Sequence, residues 1–213
     1  MQQPPEYPGV VFDERGTARP KWATTNPLLQ HYFDTEWGRP VRDEQGLFER
    51  LSLEGFQAGL SWLTILKKRP AFREAFADFD PDVVASFSED DVESLMDNAE
   101  IVRNRQKIQA VISNAKATIA LRTQGGLAKL IWSYEPINDP VLDLDGNPPS
   151  QSSESVALAK QLKKHGFRFV GPTIIFAMFE AIGLVNTFPY RKLPNLSHTY
   201  AADYGGSTPK RKE

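Results

Sequence analysis

The chain contains no cysteine, which excludes disulfides, thiolate nucleophiles and cysteine-based metal centres. Histidine is scarce as well. The three residues stand at 31, 165 and 198, too scattered for a histidine-rich metal site. Nor is there an excess of one charge: 25 Lys and Arg against 27 Asp and Glu leave a formal net charge of −2. Any contact with a polyanion must therefore use a local patch rather than the whole surface. No apolar run approaches the roughly 20 residues of a membrane span. The opening MQQPPEYPGVVFDERG carries prolines and acids where a signal peptide has a cationic start and an apolar run. A cytoplasmic location is expected. Alternating apolar and polar residues run to no useful length, so the expected fold class is all-α.

What the sequence does contain is 213 residues, 40% of them hydrophobic and 24% charged, enough for one domain with a sizeable core. Residues 1–20 read as an irregular N-terminal extension, residues 21–193 as a single α-helical domain, and residues 194–213 as a polar, disordered tail. Helix signals are frequent in between. Asn26-Pro27 pairs an N-cap with proline at the first helical position; Asp43, Asp80-Pro81 and Ser88 start further helices. The pattern Phe72, Ala75, Phe76 and Phe79 continues one helix beyond Pro70. A long helix runs from Asn104 to Leu121, with Ile108, Val111, Ile112 and Ala115 on its apolar stripe. Gly125-Gly126, Gly166 and Gly183 read as stop signals.

The most informative stretch is Leu47 to Lys67. At roughly 100° per residue, Leu47, Leu51, Glu54 and Ala58 share one helical face, while Leu53 and Phe56 occupy the other side. The helix is apolar nearly all round and should be buried, which leaves Glu54 among apolar neighbours. Gly59 offers a stop and Ser61 a new N-cap before Trp62. Glu54, with Tyr32, Trp22, Trp37 and Trp62, would suit a flat, cationic, hydrogen-bonding ligand, because ring faces attract cations and a desolvated acid is a strong acceptor. A structural acid bridging helices amid ordinary core tryptophans fits the same residues. Glu180, in a second apolar run from Phe167 to Asn186, reads as structural or edge-exposed.

Asp90 to Ala117 has the layout of a helix-hairpin-helix unit. A short helix, the tight connection Asp97-Asn98-Ala99-Glu100 and a helix with a basic start (Arg103, Arg105, Lys107) together offer free N–H groups and cations to a phosphate. An ordinary helix pair with a solvated cationic face fits too. The hairpin lacks glycine, and Glu100 sets a negative charge where a phosphate would approach.

Four strings carry a resemblance. Tyr-Phe-Asp-Thr-Glu-Trp-Gly (32–38), Leu-Glu-Gly-Phe-Gln-Ala-Gly-Leu-Ser-Trp (53–62), Ile-Val-Arg-Asn-Arg-Gln-Lys-Ile (101–108) and Phe-Arg-Phe-Val-Gly-Pro-Thr (167–173), with Gly-Leu-Val-Asn (183–186), closely resemble the DNA-3-methyladenine glycosylase I family. They occur in the family's order and cover about Trp22 to Asn186. The resemblance implies a helix-hairpin-helix DNA glycosylase fold and a monofunctional hydrolase of base-excision DNA repair. Such an enzyme removes 3-methyladenine, with 3-methylguanine a further candidate, and leaves an abasic site. By that likeness Glu54 matches the pocket carboxylate that hydrogen-bonds the methylated base. Tyr32 and Trp62 match the aromatics that stack on it, and Trp22 and Trp37 the pocket wall. Gly59 and Leu60 match the wedge beside the extruded base, and the hairpin from Asn98 through Arg103 and Arg105 to Lys107 the phosphate holder. The implied partner is alkylated double-stranded DNA, bound by a monomer at the nucleoid with no membrane involved.

Two departures stand out. Members of this family usually carry a zinc clasp of two cysteines and two histidines tying the terminal segments together; the matching positions here hold Pro20, Phe33, Phe188 and Lys192. No cofactor or metal is therefore expected, and packing of Phe33 on Phe188 is expected in the clasp's place. Leu29 stands where the family has a pocket tyrosine. Two other readings are kept: a non-catalytic helix-hairpin-helix module that binds damaged DNA, and a nucleobase-binding protein that acts without DNA.

Overall fold

The computed structural model describes residues 9–142 and 147–188. The described residues are built mainly from helices packed around one buried helix. Asn26 accepts the Leu28 N–H and opens α1 (Pro27–Thr35), as the Asn-Pro pair predicts. Asp43 accepts the Gly46 N–H at 2.7 Å and opens α2 (Glu44–Gln57). Along α2, Leu47, Phe48, Leu51, Leu53, Glu54 and Phe56 are all buried. An apolar sequence on every side forces that placement, because each aliphatic or aromatic side chain removed from water contributes about 1.5–3 kcal/mol.

Ser61 caps α3 (Trp62–Ala75), which continues past Pro70. Then come α4 (Pro81–Ala85) and α5 (Glu89–Asp97), the latter opened by a capping box between Ser88 and Asp91. After the hairpin, α6 (Arg105–Leu121), α7 (Gly126–Trp132), α8 (Ser153–Lys164) and α9 (Pro172–Ala181) complete the described helices. The central α2 packs against α3, α6, α7 and α9, and a continuous core runs from Leu47 through Phe176 to Val185. At the end of α9, Gly183 (φ +68°) lies against the Gly38 backbone, where an added Cβ would stand 2.6 Å from the carbonyl oxygen. Only glycine fits there. Together with the bond from Gly38 N–H to the Ala181 carbonyl at 2.9 Å, this close approach fixes the exit of α1 against α9.

The structure corrects three expectations. The described part of the N-terminal extension is not irregular: β1 (Val10–Phe12) pairs antiparallel with β2 (Ala18–Pro20). Asp13 organises the turn by accepting N–H bonds from Arg15 and Thr17, and Arg19 ties the hairpin to α1 through Asp34 at 2.8 Å. Strands of three residues are too short to show a period of two, so the all-α expectation holds apart from this ribbon. Second, the helix does not reach Phe79. Ala77, Asp78 and Phe79 take positive φ angles of 48°, 53° and 59°. The ring contacts of Phe76 with Phe79 and of Phe79 with Phe48 hold that left-handed turn in place. Third, Ala58 lies past the last turn of α2 and is exposed, not on its buried face. Residues 194–213 lie outside the described residues. Among those described, no helix is long and apolar enough to cross a membrane.

Candidate functional site

Glu54 lies in the last full turn of α2 and is only 5% exposed. Among the described residues no hydrogen-bond donor reaches its carboxyl. Burial, then the negative charge of Glu180, pushes it up to about 8, and Arg50 one turn earlier opposes the shift. A buried acceptor left without a protein donor is costly, and such a group marks a place where a ligand can supply what the fold withholds.

Tyr32, carried by α1, is 2% exposed. Burial first, and the Glu54 charge second, hold its phenol well above the usual tyrosine range. Its ring stands 5.4 Å from that of Trp62, the first residue of α3, at an interplanar angle of 52°. The Trp62 Nε1–H is buried with no partner among the described residues. Leu29 and Leu66 close the same cluster, so the departure at Leu29 makes one wall aliphatic. One face of the site is therefore two rings and two leucines, with an acid near Tyr32 and an unmatched indole donor.

Trp37 bridges two clusters. It packs against the Leu29–Tyr32 group and also stacks on Phe33 at 5.4 Å. Trp22 meets Trp37 edge-on at 5.8 Å and Phe33 at 5.7 Å, and is 37% exposed. It stands at the rim, one ring removed from Tyr32. Phe33 and Phe188 pack edge to face at 5.3 Å, and Pro20 pairs with Val10 in the ribbon. Two phenyl rings and a proline offer zinc no donor, so these residues do not fit a metal clasp. Lys192 lies outside the described residues. Among the described residues no group of three or more His, Asp or Glu could hold a metal ion.

The turn from α2 to α3 presents Leu60 at 41% exposure beside Gly59, whose φ of +83° lets the chain reverse. The hairpin between α5 and α6 is more occupied than its sequence suggests. Asn98 Oδ1 accepts the Glu100 N–H, and the Lys68 ammonium of α3 holds the Ala99 and Glu100 carbonyls at 3.0 and 2.9 Å. Arg105 is paired with Glu89 and Glu93, both on α5. Arg103 is exposed at the hairpin. At the start of α6, Asn104 accepts the Lys107 N–H, and the Arg105 and Gln106 N–H groups precede it at the open end of the helix.

Lys107 requires a correction. Expected to face phosphates, it is 8% exposed and turned inward; its ammonium donates to the carbonyls of Phe56 at 2.8 Å and Ala58 at 2.7 Å. Burial lowers its proton affinity. The signal was present in the sequence, because Lys107, Val111 and Ala115 fall on one stripe of α6. Glu180 is resolved as well. Of its two expected readings the structural one applies: Glu180 is half-buried, its Oε1 accepts from the Thr187 hydroxyl, and its charge is felt at Glu54, which the sequence did not show.

Sequence reasoning missed the ion network behind the pocket. Arg69 on α3 donates to Glu49 of α2 at 2.8 Å and to Glu36 at 2.7 Å, Arg50 donates to the same two acids, and Arg73 donates to Glu49. Burial alone would raise Glu49, but hydrogen bonds from Arg73 and Arg69 outweigh it and bring the carboxyl down to about 2. This network locks α2, α3 and the exit of α1 together around Tyr32.

A helical domain with a hairpin-linked helix pair and a buried acid near an aromatic cluster has the arrangement that the resemblance implies, that of a helix-hairpin-helix DNA glycosylase. Comparison with known proteins narrows the class. The family model of methyladenine glycosylases matches residues 22–189. The chain is 42% identical over 174 residues to a DNA-3-methyladenine glycosylase of Haemophilus influenzae, covering 80% of this chain and 94% of that protein. It is 45% identical over 168 residues to DNA-3-methyladenine glycosylase 1 of Escherichia coli, covering 78% of this chain and 90% of that one. Among solved structures, a tyrosine-to-phenylalanine variant of 3-methyladenine DNA glycosylase I in complex with 3-methyladenine superposes with a TM-score of 0.72. It shares 36% identity over 78% of this chain and 90% of its own. The chain belongs to the methyladenine glycosylase family.

Proposed function

We propose that this chain hydrolyses the N-glycosidic bond of 3-methyladenine in alkylated double-stranded DNA, after flipping the base, and leaves an abasic site. The observation that carries the proposal is Glu54: a buried carboxyl, unmatched by any donor among the described residues, whose charge is felt at Tyr32, one of the paired rings of Tyr32 and Trp62. Support for the substrate comes from the relatives named for this activity and from the solved relative bound to 3-methyladenine.

N3-methylation gives the adenine ring a formal positive charge, so its bond to the sugar is already weak. What remains is to extrude the base, stack it and hold it. Tyr32 and Trp62 stack on the cationic ring, and Trp37 and Trp22 form the wall and rim. Ionised Glu54 favours the cation and the oxocarbenium-like sugar electrostatically, within a site from which water is excluded. The C1′–N9 bond breaks with its electron pair passing to the base, which leaves as neutral 3-methyladenine. Water then adds at C1′ and loses a proton. Neutral adenine gains less from the same pocket. Gly59 and Leu60 fill the gap in the duplex, and Asn98, Arg103 and the open end of α6 face the backbone, with Arg105 shared between phosphate and its two acids. Leu29, in place of a tyrosine, leaves stacking and Glu54 as the principal recognition, and 3-methylguanine is the second candidate substrate.

The chain works without zinc, as a monomer, in the cytoplasm at the nucleoid. The Phe33–Phe188 contact supports the first point: it joins α1 to the segment after α9, the regions a clasp would tie together. Incubating the protein with methylated duplex DNA and separating the released bases tests the function. Release of 3-methyladenine by the wild type, and not of adenine, is expected. Saturable, salt-dependent DNA binding with no base release would overturn it in favour of a binding module.

A further inference from the structure

The ribbon of β1 and β2 lies ahead of residue 22, where the family match begins, and no step of the reaction uses it. Its own bonds shape it: Asp13 accepts the Arg15 and Thr17 N–H groups, and the Lys21 N–H extends the ladder to the Gly9 carbonyl at 2.8 Å. Val10 and Ala18 pack against Ala23, Phe33 and Phe188. From β2, Arg19 then reaches across to α1 with a side chain only 13% exposed. Its Nε and Nη2 donate to the two carboxylate oxygens of Asp34 at 2.8 and 2.9 Å, while Nη1 donates to Asp13 at 2.8 Å.

We propose that Arg19 is a positioning residue for base excision: its fork on Asp34 holds α1 in the placement that presents Tyr32 to the extruded base, which makes the ribbon a working part of the pocket. The proposal rests on the reading of Tyr32 as a residue that receives the base.

Helix α1 has nine residues, too few to hold itself in water, so its place is set by what packs on it. Two of its sides are engaged. Leu29 and Tyr32 join Leu66 and Trp62 in the pocket cluster, whereas Phe33 packs with Ala23 and Phe188, where Val10 and Ala18 of the ribbon meet it. Consecutive residues point roughly 100° apart around a helix, so a roll of α1 that moves Phe33 also moves the Tyr32 ring. Apolar contacts are not directional and constrain such a roll loosely. The Arg19 fork is directional, because two parallel N–H···O bonds to one carboxylate accept a single geometry. Asp34 stands two residues beyond Tyr32, so the fork grips the turn that carries the ring. Arg39 grips it again, donating to the Asp34 carbonyl at 2.9 Å. With Asp34 34% exposed, the ion pair adds little stability. Its contribution is orientation, to which rate is far more sensitive: a misplacement on the order of 1 Å can slow a reaction about 100-fold.

The test is a double-mutant cycle of Arg19→Gln and Tyr32→Leu on the full chain. It is read as single-turnover release of 3-methyladenine from methylated duplex, beside duplex affinity, melting temperature and NMR of 13C-labelled tyrosine. Arg19→Gln should slow release about tenfold or more, leave duplex affinity unchanged and lower the melting temperature by only about 2–4 °C. Arg19→Lys, which keeps the charge and loses the fork, should fall between the two. In the Tyr32→Leu background Arg19→Gln should slow release no further, because the ring it positions is gone. Equal slowing in both backgrounds would overturn the proposal and leave the proposed function standing, as would a wild-type rate in Arg19→Gln. Should Arg19→Gln not fold, Asp34→Asn takes its place under the same criteria. The NMR spectrum decides independently of release: the Tyr32 resonances must move in Arg19→Gln while those of Tyr134 hold, and unmoved Tyr32 resonances would overturn the positioning role. A wild type that releases no base would overturn the function instead.

Discussion

The Lys107 ammonium donates to the Phe56 carbonyl oxygen across 2.8 Å, and this bond joins the helix that follows the hairpin to the helix that carries Glu54. With its second bond, to Ala58, the same cation caps the C-terminal end of α2, where the helix dipole favours positive charge. The turn at Gly59 and Leu60 and the hairpin are thereby fixed to each other. Replacing Lys107 by methionine keeps the stem and strands two carbonyls. We expect a loss of about 2 kcal/mol in urea unfolding and slower base release with an unchanged pH profile. Unaltered stability would show that the two bonds contribute nothing net.

Stability should depend on pH through Glu54 in a direction set by its raised folded-state value. The unfolded carboxyl loses its proton near 4.5 and the folded one near 8. Between those values the unfolded state binds fewer protons, so stability is greatest below the window and falls as pH rises through it. Glu180, raised to about 7, adds a term of the same sign. Glu54→Gln should therefore flatten the profile and exceed the wild type by a growing margin toward pH 8. A wild-type profile no steeper than that of Glu54→Gln in this range would contradict the buried, unpaired acid.

Glu49 behaves in the opposite way. Its folded carboxyl is held at about 2 against an ordinary 4.5. Its ion network thus contributes stability that is complete above pH 4.5 and lost as pH falls toward 2. Glu49→Gln should weaken the fold at neutral pH and much less in acid, as chemical unfolding at the two pH values will read. An equal loss at both would mean that packing, not charge, is what the variant removes.

Aromatic packing in place of a zinc clasp predicts that chelators change neither base release nor the melting temperature. Phe188→Ala should cost about 3 kcal/mol, the usual range for deleting a buried phenyl ring. Stoichiometric zinc in the purified protein, by elemental analysis, would contradict the zinc-free reading.

The two surface elements are separable. Arg103→Ala should lower duplex affinity for methylated and unmethylated DNA alike and reduce the salt slope of binding by about one. If Leu60 is the wedge proposed above, Leu60→Ala should slow release from duplex while leaving release from single strands nearly unchanged. Equal effects of Leu60→Ala on both substrates would remove Leu60 from the duplex-opening step.

Much of the scaffold could be read because its signals are local. Asn26-Pro27, Asp43, Ser61, Ser88 and Asn104 each cap the helix that their side chain predicts. The buried state of Glu54 followed from periodicity alone, since no solvated face of α2 was available to it. What escaped was non-local. Nothing near Glu180 in sequence shows that α9 will pack on α2, so its proximity to Glu54 emerges only in the fold. The arginines at 50, 69 and 73 look like an ordinary charged surface until Glu36 and Glu49 are brought among them. Lys107 was misread for a different reason. A cation at a hairpin invites a phosphate, and that expectation overrode the apolar stripe on which the residue lies. The ribbon at Val10–Phe12 and Ala18–Pro20 was missed because three-residue strands leave almost no pattern.

The central claim is that a buried carboxylate at position 54 promotes loss of a cationic base. Single-turnover release of 3-methyladenine from a methylated duplex, compared between wild type and Glu54→Gln with both enzymes saturating, tests it most directly. Release by the wild type is expected, with a rate at least about 100-fold lower in the variant, the scale for removing one preorganised electrostatic group, and with duplex binding retained. Equal single-turnover rates in the two proteins would contradict it.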